Sequence, residues 1–89
     1  MMVEWLQRRV SVEQVEAAHM VRHERLGTAP VAFGFDNGRW RELISRMQDG
    51  DELWEYRSPA ETWANMAGRA GYALVREGKI VGQITTLMN

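Results

Sequence analysis

Glu77 and Gly78 stand between two stretches, Tyr72–Arg76 and Lys79–Met88, that are rich in apolar and β-branched residues. A two-residue loop joins antiparallel strands only with positive φ, which Gly78 adopts without steric cost. A C-terminal β-hairpin is therefore predicted, with Gly82 marking a bulge. An isolated hairpin is at best marginal in water, so the remainder of the chain must supply more strand and a helical cover. The 89 residues make one domain. Size scaling lets it bury roughly 64% of its extended-chain surface, about 9,500 Å² as an upper bound.

Other elements follow from period and punctuation. Glu52–Arg57 alternates Leu53, Glu55 and Arg57 with Glu52, Trp54 and Tyr56, a half-buried strand. Ser11 with Gln14 has capping-box spacing, and Val10 with Val15 can form a hydrophobic staple. The helix that follows is expected to reach Leu26, where Gly27 and Pro30 stop it. A second helix, capped by Asp36 or Asn37, carries Trp40, Leu43, Ile44 and Met47 at i, i+3, i+4 and i+7. It is expected to end at Gly50 and to pair Glu42 with Arg46. Ser58, Pro59 and Glu61 predict a short third helix that turns Trp63, Met66 and Ala67 inward and stops at Gly68. Val31–Phe35 reads as extended, and residues 1–10 suit strand or helix. The fold class is α+β: two main helices and a short one packed on a small antiparallel sheet ending in the hairpin.

Composition excludes several functions. At 45% hydrophobic and 26% charged residues the chain is neither disordered nor coiled coil. Without cysteine it has no disulfide scaffold, redox thiol, thiolate zinc site or iron–sulfur cluster. A formal charge of −1, with arginines interleaved among acids, provides no field for nucleic acid. No apolar run approaches the length of a membrane span or signal peptide, so a cytoplasmic location without membrane contact is expected.

Few residues carry chemistry. Glu16, His19 and His23 share a helical face, but at 1.5 Å per residue they spread about 10 Å along the axis, too far to meet one ion. Boundary histidines without metal are expected, and no cofactor. The small residues around Arg69, from Ala67 to Gly71, can present amides to an anion, but at the negative end of a helix. They read as a helix stop and a strand entry, with Arg69 pairing an acid such as Glu55. Ser11 and Ser58 are caps, Ser45 is helical, and Asp49, Asp51 and Glu52 straddle a turn, which leaves no catalytic residue. Trp5, Trp40, Trp54 and Trp63 fall on the apolar phase of their elements and read as core.

The C-terminal half, with Leu53, Trp54, Glu55, Tyr56, Ser58, Pro59, Trp63, Ala67, Gly68, Arg69, Gly71, Met88 and Asn89, resembles small bacterial proteins of unassigned function. That resemblance implies a bacterial cytoplasmic setting and no catalytic activity. With chemistry sparse and apolar aromatics plentiful, a non-enzymatic interaction or regulatory module that self-associates is expected. The alternative is a small enzyme or ligand-binding domain with a pocket between sheet and helices, its polar groups Arg69, Glu55 and Tyr56. Ligand or partner candidates are Trp54, Glu55, Tyr56, Arg69, Ile84 and Leu87. Residues Ile84 to Met88 outrun the facing Tyr72–Arg76 strand, with Ile84 and Leu87 expected on opposite faces. This stretch has no lysine, proline or acid to blunt an edge, which favours a homodimer or small homo-oligomer, or another protein partner.

Overall fold

The computed structural model describes residues 2–21 and 31–89. Its frame is the C-terminal hairpin, formed by β5 (Arg69–Arg76) and β6 (Lys79–Met88). Glu77 and Gly78 have φ of +51° and +77°, the two positive values a type I′ turn requires. β5 also pairs antiparallel with β4 (Glu52–Arg57), and β4 with β1 (Leu6–Val10), giving the order β1-β4-β5-β6. A 3₁₀ turn, Val3–Trp5, precedes β1.

Two expectations for the hairpin need correction. β5 begins at Arg69 rather than Tyr72, so Arg69 faces Met88 and β6 is paired with β5 out to its end. The register shifts twice, with Val81 extra between Ile80 and Gly82 and Thr86 extra between Thr85 and Leu87. The first shift adjoins Gly82, where a bulge was expected. The second restores phase: Ile84 faces Tyr72 and Leu87 faces Ala70, so Ile84 and Leu87 lie on the same side of the sheet.

The core covers one face of the sheet. Val10, Leu53, Tyr72, Leu74 and Ile84 project from the strands. Val15 from α1 (Val12–Ala18), Trp40 and Leu43 from α2 (Asn37–Ser45), and Ala32 pack onto them. Trp40 is wholly buried and donates its indole N–H to Glu16 at 2.9 Å, so the largest core side chain leaves no polar atom unpaired. At Gly82 a Cβ would come within 2.8 Å of Leu43, and its absence lets α2 lie close on β6. The molecule is 17 Å across its shortest axis, the thickness of a sheet with one helical layer.

The helices start where caps predict and end sooner. Ser11 Oγ accepts from Gln14 N–H while Gln14 Oε1 accepts from Ser11 N–H, and Val10 and Val15 both enter the core. α1 nevertheless stops at Ala18. Met20–Val21 forms β2, antiparallel to β3 at Val31–Ala32, and His19 C=O accepts from Phe33 N–H at 2.8 Å. Strand pairing thus replaces the helix expected to Leu26, and residues 22–26 of that expectation, with His23, lie outside the described residues. Beyond β3 the expected extended run bends into a 3₁₀ turn, Gly34–Asp36.

α2 ends at Ser45 rather than Gly50. The Asp51 carboxylate captures Gln48 N–H at 2.9 Å, and Gly50, at φ +88°, turns the chain into β4. No Glu42–Arg46 ion pair forms among the described residues. α3 spans Ala60–Ala64 and is capped at Pro59. Ser58 Oγ instead binds Thr62 Oγ1 at 2.7 Å and accepts Arg69 N–H at 2.8 Å, tying α3 to the start of β5. α3 closes with Ala67 N–H on Thr62 C=O and Met66 N–H on Trp63 C=O, a Schellman motif in which Met66 holds the left-handed position at φ +59°. Met66 and Ala67 are therefore exposed, not inward. Trp5, Trp54 and Trp63 are half-buried, which leaves Trp40 alone among the tryptophans fully inside.

Candidate functional site

At one end of the core face the helices withdraw and a groove of about 470 Å³ opens. His19, the residue that caps α1, stands at its head. Its ring Nε2 lies 2.7 Å from the Tyr72 hydroxyl of β5. Phe33 stacks on the imidazole, with centroids 4.4 Å apart and planes at 17°. To do so Phe33 adopts φ +60°, a conformation that costs a bulky side chain on the order of 1–3 kcal/mol. Trp40 lies 4.9 Å beyond Phe33, so the imidazole is backed by an aromatic stack continuous with the core.

Strand alternation and twist bring charge to the same groove. Glu55, opposite both Tyr72 and Arg8, accepts from Arg8 Nε at 2.7 Å. Arg57, on the same face of β4, lays its guanidinium 4.3 Å from the Trp63 ring centroid and pairs with no carboxylate among the described residues. Ala70 and Leu87 supply apolar wall. Burial first, and the Glu55 charge second, push the Tyr72 phenol above its ordinary range, with Arg8 acting in the opposite sense. The hydroxyl therefore keeps its proton at neutral pH and can donate to His19 or to a ligand.

The residues singled out in the sequence are dispersed. Glu55, Tyr56 and Leu87 line this groove, although strand alternation turns the Trp54 and Tyr56 side chains toward the opposite face of β4. Trp54 donates to Glu52 at 2.8 Å, and the Tyr56 hydroxyl meets Thr85 Oγ1. Arg69 is exposed beside Tyr56, and Glu55 belongs to Arg8, so the expected Arg69–Glu55 pair does not form. The pocket expected from Arg69, Glu55 and Tyr56 does not form as one: Glu55 and Tyr56 line this groove, whereas Arg69 and Tyr56 line a separate cavity. Ile84 is core, only 1% exposed. Sequence reasoning missed Tyr72 as a groove residue and Arg8 as the partner of Glu55. Each becomes chemical through a partner distant in the chain, and only the period-2 phase of the strands carries any signal of it.

Beside the groove runs the outer edge of β6, the last strand of the four. From Ile80 to Met88 it carries no charge, and Val81, Leu87 and Met88 are exposed, the last two by 52% and 66%. Among the described residues no three metal-ligating side chains converge, and no helix is long and apolar enough to cross a membrane. Comparison with protein-family models, curated proteins and solved structures finds no match to this chain.

Proposed function

We propose that this protein is a cytoplasmic, non-enzymatic interaction module that self-associates by adding the β6 strand of one copy to that of another. The outer edge of β6 carries this proposal. A long terminal strand with an uncharged, partly apolar border presents backbone donors and acceptors to a second strand, and two identical borders are self-complementary about a two-fold axis. Pairing continues the existing sheet and shelters Val81 and Met88. Thr86 and Val81, the two bulged residues, are exposed, so lysine at either point blocks the border without entering the core.

Sedimentation equilibrium or light scattering tests this directly. Wild type is expected at twice the 10.3 kDa chain mass, and the Val81→Lys/Thr86→Lys protein at the single-chain mass with its circular dichroism unchanged. A wild-type mass of one chain at every accessible concentration refutes the proposal, as does a double variant that stays dimeric.

A further inference from the structure

We propose that the groove headed by His19 and Tyr72 binds a small aromatic monocarboxylate, its ring held among His19, Tyr72 and Leu87 and its carboxylate paired with Arg57. Three independent features meet there. The strained Phe33 backbone holds the His19 ring in a fixed orientation, and strain of this kind persists where the surroundings over-determine a conformation. The walls are aromatic and aliphatic, and the Tyr72 hydroxyl and His19 imidazole add a hydrogen-bonding edge to them.

Charge selects the ligand class. Arg8 and Glu55 neutralise each other at 2.7 Å, whereas Arg57 contributes a guanidinium without a carboxylate partner among the described residues. The groove therefore carries one surplus positive charge, in a fork suited to two carboxylate oxygens. Stacking on Trp63 limits the conformations this guanidinium must give up on binding. A dianion such as phosphate would bring a second charge against Glu55, and an uncharged ring would leave Arg57 unused.

The full-length chain is titrated with benzoate, benzamide and acetate while the ring resonances of His19 and Tyr72 are followed by NMR. Benzoate is expected to shift both rings saturably and to bind about tenfold or more tightly than either comparison compound, since each lacks one half of the recognition. Arg57→Gln is expected to weaken benzoate by about tenfold or more and to leave benzamide unchanged. Arg57→Lys, which keeps the charge and loses the fork, falls between. The same affinities are expected on a Val81→Lys background, so this site and self-association stand or fall separately. Benzoate binding no tighter than acetate, binding indifferent to Arg57→Gln and Arg57→Lys, or the absence of saturable shifts in either ring overturns the assignment.

Discussion

The sheet has two borders, and they are made differently. β1 is five residues long, its register slips between Leu6 and Arg8, and Gln7, Arg8 and Arg9 are exposed along it. Arg8 and Arg9 reach inward to Glu55 and Glu52 at 2.7 and 3.8 Å, fixing charge beside the border. β6 is ten residues long and uncharged beyond Lys79. Short length, irregular register and charge are the devices by which edge strands avoid pairing, and β1 has all three. β6 has bulges alone. The contrast teaches that the free hydrogen-bonding groups of a border matter less than what stands among them.

The largest expected effect breaks the comparison by removing the anchor of β6. Ile84→Ala should cost about 2–5 kcal/mol in urea denaturation, because Ile84 is packed against Tyr72 under the helical layer. A loss below about 1 kcal/mol would mean that β6 is held by its neighbour copy rather than by its own core.

Next comes the tie at the hairpin end of the sheet, independent of either border. Arg76 donates from Nε and Nη2 to the buried Asp51 carboxylate at 2.9 and 2.8 Å, and Nη2 also reaches Arg46 C=O. The Arg76 hydrogen bonds, then the Gln48 amide, hold the Asp51 carboxyl below its ordinary value. A depressed carboxylate contributes stability that is present above the unfolded value near 3.8 and is lost as pH falls through the lower folded value. Melting temperature followed from pH 7 downward should show an acid limb that Asp51→Asn removes. An identical acid limb in the variant would assign that titration elsewhere.

A smaller effect lies away from both borders. Met66 is 79% exposed and held in the left-handed position that glycine occupies without steric cost, so Met66→Gly should stabilise the chain by about 0.5–1 kcal/mol. Thermal melts that show destabilisation would mean that the Met66 side chain contributes packing. The smallest stability change, within about 0.5 kcal/mol, sharpens the comparison most. Arg9→Val removes a long, exposed ion pair from β1 and should leave folding intact while allowing that border to pair. With both borders adhesive, species larger than a dimer should appear in light scattering; none would mean that the slipped register alone protects β1.

Where local chemistry decides structure, the sequence was legible. The Glu77–Gly78 turn, the limits of β4, the Ser11 capping box and the Trp40–Leu43 face of α2 each follow from neighbours within a few positions. The misreadings share another cause. α1 ends at Ala18 because Met20 and Val21 pair across a gap with Val31 and Ala32, an interaction that no helical period reports. Ser58 has the spacing of a cap, but its hydroxyl is taken by Thr62 and Arg69. Gly71 looked like a strand entry; in the sheet it lies against the Ile84 carbonyl, where a Cβ has no room. In the groove, Glu55, Tyr56 and Leu87 are picked out without their setting, and helical spacing, which groups His19 with Glu16 and His23, does not report its partner Tyr72.

The tight I′ turn also sets an order in time. Glu77 and Gly78 bring β5 and β6 together at almost no cost in loop closure, whereas β1 must find β4 across α1 and α2. The hairpin is thus expected to be formed in the folding transition state, with φ-values near 1 for variants about the turn and near 0 for Val10→Ala. A refolding chain then displays its uncharged border before its charged one is in place. Where copies pair through β6 as proposed, encounter can begin on a half-built sheet, and the rate at which β1 docks becomes part of what decides between paired chains and aggregates.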